Sequence, residues 1–187
     1  MSGEQMHEES SRPKTTGDDA TWHRIFAASA FNQAWDGIDK SERSESENAA
    51  MLMATFASRY HWEAVGTAEN QVIGDWQIAH VASLLGLEPV AMSFARMALD
   101  RASEHGFEGW LLASCHEGMA RAHACAGNVA ERDRHIRTAS RLLDDVDDPG
   151  ERRLVESQLE SVPGYDEVFP TEDPALAAED ARFGEHD

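Results

Sequence analysis

Histidine and cysteine are the residues of this sequence best suited to binding a metal ion. The chain of 187 residues has nine histidines and two cysteines, but no His-x-x-x-His, His-Glu-x-x-His or Cys-x-x-Cys spacing. The nearest candidate is the run from Cys115-His116 to His123-x-Cys125. In a helix, His116 and His123 share a face but lie about 10 Å apart. One ion cannot bridge them without a third element between them, so we expect no metal site.

The same segment contains the groups that a nucleophilic enzyme would need. Cys115 and Ser114 are neighbours of His116, but adjacent residues of a helix point about 100° apart and cannot form a nucleophile and base pair. The sequence also has no Gly-x-Ser-x-Gly motif, phosphate-binding loop or dinucleotide-binding glycine run. These observations disfavour an enzyme without excluding one, and we expect no cofactor.

Helices must position these groups. Between residues 21 and 161 the prolines are Pro89 and Pro149, and each suits the first turn of a helix. Four glycines act as stop signals between the apolar-periodic segments, namely Gly66, Gly86, Gly106 and Gly127. The sequence therefore predicts an all-α fold with seven helices, at about 21–38, 46–65, 68–85, 88–104, 108–126, 129–145 and 149–161.

Charge defines the ends of the folded unit and argues against two classes of partner. Residues 1–20 and 162–187 together carry 13 acids and three bases, so we expect disordered acidic tails around a helical-repeat domain at 21–161. The net charge of −19 repels nucleic acids and anionic membranes.

The sequence has no evident secretory signal or membrane-spanning segment, and its two cysteines are too far apart in a helix to form a disulfide. We therefore expect a cytoplasmic protein.

A weak internal repeat relates two of the predicted helical hairpins. Shifting residues 71–100 by 41 positions onto 112–141 superimposes four identical residues, with Ala79 on Ala120, Gly86 on Gly127, Arg96 on Arg137 and Ala98 on Ala139. Small residues fall where two helices must approach closely. This pattern resembles a tetratricopeptide-like helical hairpin, and the resemblance is most specific at Ile78-Ala79, Gly86, Ala91, Ala95 and Ala98.

A longer set of residues resembles a family of bacterial helical-repeat proteins. It comprises Asn32-Gln-Ala-Trp35, Tyr60-His-Trp62, Val65-Gly66, Asn70, Trp76 and Ala120-Arg-Ala122. The family is named for its repeats, so the resemblance implies a fold and little function. That fold is a right-handed tetratricopeptide-like stack of about three antiparallel helical hairpins plus a terminal capping helix. The sequence departs from the pattern at His80 and Arg132, where a basic and a small residue are expected.

The resemblance also implies a binding surface. In tetratricopeptide-like hairpins the first helix of each pair lines the concave side, which places Trp76 and His80 there in one repeat and Glu117 and Arg121 in the next. Arg121 can then hold a carboxylate, with the ligand stacked on Trp76. The alternative is that Trp76 is mostly core and that Glu117 and Arg121 form an ordinary surface ion pair, worth about 0.3 to 0.5 kcal/mol.

The first hairpin can extend the same pocket. Four of its residues, or of the turn that follows it, are candidates for this, namely Asn32, Trp35, His61 and Asn70. Polar residues at helix junctions more often cap or cross-link helices, and tryptophans more often fill gaps between helices. His123 falls at a position that resembles a packing position of the repeat, so we expect it to be a satisfied core histidine.

Together these features favour a non-catalytic binding or interaction module. A peptide or a small polar ligand would occupy the concave groove, and the acidity of the chain favours a basic or mixed-charge partner. We expect no nucleic acid or membrane partner. Two alternatives stay open: a metal-dependent or other enzyme in a helical bundle, and a structural homodimer in which one concave side buries the other.

Overall fold

The computed structural model describes residues 17–170 of the chain. The regular elements of this part are all helices, which confirms the predicted all-α fold. In chain order they are α1 (Gly17–Ile38), α2 (Glu45–Val65), α3 (Ala68–Leu84), α4 (Glu88–Glu104), α5 (Gly109–Cys125), α6 (Val129–Asp144), α7 (Pro149–Glu160) and α8 (Tyr165–Val168). None of the helices in the described region has both the length and the apolar character needed to cross a membrane.

The helix ends follow from local hydrogen bonding and backbone geometry. At the start of α2, the Ser44 side chain accepts a hydrogen bond from the backbone N–H of Glu47, whose carboxylate accepts one from the backbone N–H of Ser44. Thr67 and Asn70 form the same reciprocal arrangement at the start of α3. The turns after α3, α4 and α5 each require a positive φ, which glycine supplies at 68° (Gly86), 67° (Gly106) and 70° (Gly127).

The helical region extends beyond the boundaries expected from the sequence. Helix α1 begins at Gly17, four residues before the expected start at position 21, whereas the bounds of α2 to α7 agree with the sequence to within one residue. Helix α8 is an eighth helix, and it lies in the segment expected to be a tail. The remaining parts of the two expected tails, 1–16 and 171–187, lie outside the described residues.

Successive helices pack as pairs, and the pairs pack on one another. Helix α1 packs against α2, α3 against α4 and α5 against α6, while α2 contacts α3 and α4 contacts α5. Helix α3 also contacts α5 directly, and α7 covers α5 and α6. Close approach of α3 and α5 depends on Gly118, because a Cβ atom there would lie 2.9 Å from Cδ1 of the Trp76 ring.

Helices α2, α3 and α4 are joined by a buried carboxylate. Asp75 is fully buried, and its two oxygens accept from Nε of Arg59 at 2.6 Å and from Nε of Arg101 at 3.3 Å. Burial raises the pKa of the Asp75 carboxyl, while the two guanidinium groups oppose that shift. The pairing of a buried charge with two partners explains how this acid is tolerated in the core.

Arg132 joins α8 to the rest of the molecule, at a position where the repeat pattern leads us to expect a small residue. The Arg132 side chain is buried, and it donates to the carbonyl of Pro163 at 3.3 Å and to the Glu167 carboxylate of α8 at 2.5 Å. Gly164 between them has a φ of 85°, and a Cβ atom there would overlap the guanidinium. The position of α8 thus depends on contacts with a residue more than thirty positions earlier.

Candidate functional site

A hollow lies between the first helices of successive pairs, α1, α3 and α5, and α7 also contributes to its lining. One part of it, which we call the apolar compartment, has a volume of about 270 Å³. Its lining is dominated by aromatic and aliphatic side chains: Phe31, Trp35, Ile73, Trp76, Trp110, Leu111, Ser114, Leu154 and Gln158. The packing of α1, α3, α5 and α7 therefore leaves a space between their side chains.

A second space adjoins the first, and we call it the polar compartment. Its volume is about 530 Å³, and it shares Trp35, Leu154 and Gln158 with the apolar compartment. The rest of its lining combines aliphatic, hydroxyl and charged side chains: Ile38, Asp39, His80, Leu84, Arg121, Ser157 and Ser161. A ligand with an apolar end and a polar end can therefore span both compartments.

Trp76, Glu117 and Arg121 form a hydrogen-bonded chain at the junction of α3 and α5. The indole Nε1 of Trp76 donates to Oε2 of Glu117 at 2.7 Å, and Nε of Arg121 donates to Oε1 of the same carboxylate at 2.6 Å. Arg121 also reaches α7, where its Nη2 donates to the Gln158 carbonyl at 2.8 Å and to Oγ of Ser161 at 2.7 Å.

The Glu117–Arg121 pair is buried, so the expectation of an ordinary surface ion pair is wrong. Glu117 is 0% exposed and Arg121 is 4% exposed. The guanidinium uses Nε and Nη2 on protein acceptors, while Nη1 makes a contact of 3.5 Å with the Ser161 carbonyl. Because its charge is already neutralised by Glu117, Arg121 is poorly suited to hold the carboxylate of a ligand.

His80 lines the polar compartment as a neutral side chain. Its ring lies edge-on to Trp35 and to Trp76, with ring centroids 5.9 Å and 5.5 Å away. Burial, followed by the charge of Arg121, lowers the pKa of His80 well below its usual value. Its Nδ1 is buried and has no hydrogen-bond partner among the described residues. Among the described residues that line the hollow, it is the one buried side-chain nitrogen or oxygen without a hydrogen-bond partner.

Of the four residues proposed to extend the pocket from the first hairpin, Trp35 lines both compartments. The other three do not line the hollow. Asn32 is exposed on α1, and Asn70 forms the capping box with Thr67. His61 contacts His23 of α1, with their Nδ1 atoms 2.9 Å apart, and burial together with His23 lowers the pKa of His61.

Most of the apolar lining was not expected from the sequence, because isolated apolar residues of a helix are typical of an ordinary core. The 41-residue offset of the repeat does indicate some of these lining residues. Ile73 and Ser114 are 41 residues apart, as are Trp76 and Glu117, and three of these four residues line the apolar compartment. Ile73 and Ser114 lie three residues, about one helical turn, before Trp76 and Glu117. The same face of each helix that carries Trp76 or Glu117 therefore also carries Ile73 or Ser114.

A separate cluster of titratable side chains lies between α5 and α6. His123, Glu131 and His135 each offer a ligand atom, and these three atoms lie within 4.8 Å of one another. His116 contacts His135, with their Nδ1 atoms 2.8 Å apart. Burial and the charge of Arg134 lower the pKa of His116 to about 4 and that of His135 to about 3.

The expectation of a satisfied core histidine at position 123 is wrong, because His123 Nδ1 is buried without a hydrogen-bond partner among the described residues.

The chemistry available in the hollow is binding by apolar contact, supplemented by a few hydrogen-bonding groups. Its hydroxyls belong to Ser114, Ser157 and Ser161, and Ser114 Oγ donates to the Trp110 carbonyl at 2.9 Å. No family model, curated protein or solved structure matches the chain.

Proposed function

We propose that this chain is a binding module whose hollow holds an apolar group carried by a peptide or a small ligand. The module is a tetratricopeptide-like stack of three helical hairpins followed by a capping helix, α7. The successive packing of α1–α2, α3–α4 and α5–α6 supports this architecture, as does the direct contact between α3 and α5. In stacked hairpins of this kind, the first helices line a continuous binding surface.

The observation that carries the proposal is the apolar compartment. Trp35, Trp76 and Trp110 come from three different helices and face one space of about 270 Å³. Small-molecule sites are concave and mostly apolar, with a few polar groups that orient the ligand. Filling this space with an apolar group would remove that group from water, which is favourable by about 25 cal/mol for each Å² buried.

The polar compartment favours a neutral or basic head group over an acidic one. Asp39 and Arg121 are its charged lining residues, and Arg121 is already paired with Glu117. Asp39 is exposed and can pair with a cationic group. The net charge of −19 acts in the same direction, since it attracts basic partners over long distances and repels nucleic acids and anionic membranes.

We include a cytoplasmic location in this proposal, because a reducing compartment keeps thiols such as the buried Cys115 unpaired.

Binding of a neutral aromatic probe tests this proposal. We expect N-phenyl-1-naphthylamine to bind the full chain saturably, with a blue-shifted and enhanced emission. Leu154→Trp adds a large ring at a residue that lines both compartments and is 55% exposed. The added ring should weaken probe binding by about tenfold or more, because a loss of about 1.4 kcal/mol corresponds to tenfold.

Leu87→Trp is the matched control. Leu87 is also an exposed leucine, 37% accessible, but it lies at the start of α4 and not on the hollow. This variant should bind the probe as the unmodified chain does. The proposal is overturned if the unmodified chain shows no saturable emission change, or if Leu154→Trp and Leu87→Trp bind the probe equally well.

A second candidate function is self-association through α1 and α2. Trp22, Phe26 and Tyr60 are 57%, 50% and 69% exposed, and the ring of His61 contacts both Phe26 and Tyr60. Contiguous exposed aromatic surface is typical of protein interfaces. This surface lies outside the hollow, so the dimer would differ from one in which two concave sides meet.

Light scattering at several protein concentrations tests self-association. A dimer should dissociate on Phe26→Ser but not on Phe169→Ser, since Phe169 is also exposed but follows α8 at the other end of the described chain. A mass that stays that of one chain at all concentrations contradicts this second candidate and leaves the hollow-binding proposal unaffected.

A further inference from the structure

The facing ends of α5 and α6 bring together donor atoms that the sequence keeps apart. His123 lies in the last turn of α5, whereas Glu131 and His135 lie one turn apart at the start of α6. Glu131 and His135 are separated by four residues, so their side chains share one face of α6. The turn between the helices places His123 opposite that face, and the three donor atoms lie within 4.8 Å of one another.

A cationic group already lies among these donors. The Nη2 atom of Arg134 is 2.7 Å from Oε2 of Glu131 and 2.8 Å from Nε2 of His135. One positively charged nitrogen therefore contacts two of the three donors at the same time. The Arg134 side chain is 56% exposed, so it can turn into solvent and leave the donors to another cation.

The hydrogen bonds of His135 orient its ring for metal ligation. Arginine can only donate, so Nε2 of His135 accepts from Arg134, and a neutral ring then carries its proton on Nδ1. That proton is donated to Nδ1 of His116, 2.8 Å away. Ligating histidines commonly have this arrangement, in which one nitrogen binds the metal and the other donates to a neighbouring acceptor. His116 would act as a positioning residue, not as a ligand.

We propose that His123, Glu131 and His135 form a site for one divalent transition-metal ion such as Zn²⁺ or Co²⁺, with the Arg134 guanidinium as an internal competitor for the same position. Two imidazole nitrogens and one carboxylate oxygen suit these ions and not Mg²⁺ or Ca²⁺, which prefer all-oxygen ligands. Bonds of about 2.0 to 2.2 Å require the donors to close in as Arg134 leaves. The exposure of Glu131 and Arg134 leaves the remaining coordination to water.

The sequence predicts no metal site, because His116 and His123 lie too far apart in a helix to share an ion without a third element. Helix α6 supplies that element through Glu131 and His135. The proposal is also independent of the hollow, which none of the three ligands lines.

Co²⁺ titration of the full, chelator-treated chain tests the site. We expect visible absorption bands of protein-bound Co²⁺ that saturate at one ion per chain, are lost on addition of Zn²⁺ and persist with excess Mg²⁺. Glu131→Gln should weaken Co²⁺ binding by about tenfold or more through the loss of one ligand. The Glu131 side chain is 42% exposed, so this variant should fold even if His135→Gln, at a buried position, does not.

His105→Gln is the control for adventitious binding, because His105 is exposed and lies in the turn after α4. It should bind Co²⁺ as the unmodified chain does. The proposal is overturned if the unmodified chain gives no saturable bands, or if Glu131→Gln binds Co²⁺ as tightly as His105→Gln. If Glu131→Gln loses Co²⁺ binding but binds the aromatic probe as the unmodified chain does, the metal site and the hollow are independent of each other.

Arginine substitutions test the internal competition. Arg134→Gln and Arg137→Gln each remove one positive charge from an exposed position of α6, but Arg137 makes no side-chain contact with Glu131 or His135 among the described residues. Arg134→Gln should tighten Co²⁺ binding by about tenfold more than Arg137→Gln does, since it removes a contact ion and not only a distant charge. Equal effects of the two variants would overturn the role assigned to Arg134.

Discussion

The indole Nε1 of Trp76 donates a hydrogen bond of 2.7 Å to Oε2 of Glu117, and the two residues are 41 positions apart. This separation equals the offset of the internal repeat, so equivalent positions of successive hairpins bond directly to each other. The next pair at the same offset, His80 and Arg121, lines the polar compartment. The 41-residue offset thus relates one direct hydrogen bond between α3 and α5 and one pair of residues that line the same space.

Replacing Trp76 by Phe tests the value of this hydrogen bond. The variant keeps an aromatic ring but leaves the fully buried carboxylate of Glu117 with one oxygen lacking its donor. We expect the free energy of unfolding to fall by about 1 to 3 kcal/mol, measured by urea denaturation. Trp110→Phe is the control, because the Trp110 indole makes no hydrogen bond within the described region. Equal losses for both variants would show that ring size alone matters.

Replacing Arg121 by Met tests whether the ion pair is structural. The buried Glu117 would lose its only cationic partner among the described residues, so we expect a loss of about 3 to 5 kcal/mol in the free energy of unfolding. The double variant Glu117→Gln with Arg121→Met should recover part of that loss. Lys40→Met is the control: it breaks a surface pair with Glu47 and should change stability by less than about 1 kcal/mol. A loss below about 1 kcal/mol for Arg121→Met would contradict a structural role for the buried pair.

Gly118→Ala tests the close approach of α3 and α5. Alanine favours a helix by about 1 kcal/mol relative to glycine. At position 118, however, the added Cβ would lie 2.9 Å from Cδ1 of the packed Trp76 ring. We expect a net loss of about 1 to 3 kcal/mol by thermal or urea unfolding, because the core must shift to accept the methyl group. Gly17→Ala, where the added atom meets open space, should leave stability unchanged or slightly raised.

Because of His80, we expect the free energy of unfolding to decrease as the pH falls below about 6.5. The pKa of His80 in the folded chain lies well below 6.5, so as the pH falls through 6.5 the unfolded chain binds a proton that the folded chain does not. The contribution of this neutral histidine is complete above pH 6.5. It is lost as the pH falls toward the folded-state pKa, by up to about 1.4 kcal/mol for each pH unit.

His80→Phe removes this titration and keeps a ring between Trp35 and Trp76. Urea unfolding at pH 8, 6.5 and 5 should therefore show the variant gaining stability relative to the unmodified chain at the lowest pH. Contributions that are the same in both proteins cancel in the comparison. Parallel changes of stability with pH in the two proteins would contradict the assignment.

The helices could be predicted from local signals, whereas α8 could not. Gly86, Gly106 and Gly127 end helices through a positive φ that the sequence makes visible, and Pro89 and Pro149 start them. The four residues of α8 have no apolar periodicity, and their position depends on Arg132, more than thirty residues away. Contacts at such a distance leave no periodic trace in the sequence.

The candidate site could be predicted only in part, because contacts between segments that are distant in the sequence also determine which side chains line it. Of the four residues that the repeat register groups, Trp76, His80 and Arg121 line the hollow, whereas Glu117 is buried between Trp76 and Arg121. The register did not show that Arg121 is turned toward α7, because that depends on the acceptors offered by Gln158 and Ser161. In the same way, Asn32 is on a lining helix, α1, but on a face away from the hollow, and His61 is on α2, which supplies no lining residue to either compartment.

Arg121 connects α5 to the end of α7, and α7 supplies Leu154 and Gln158 to both compartments. One guanidinium group therefore bonds both to the buried carboxylate of Glu117 and to the helix that lines one side of the hollow. If the hollow binds a ligand as proposed, a substitution at Arg121 would change the free energy of unfolding together with the affinity. Leu154 and Ile73 line the hollow without carrying a buried charge, so under that proposal they are the positions at which affinity can change independently of folding.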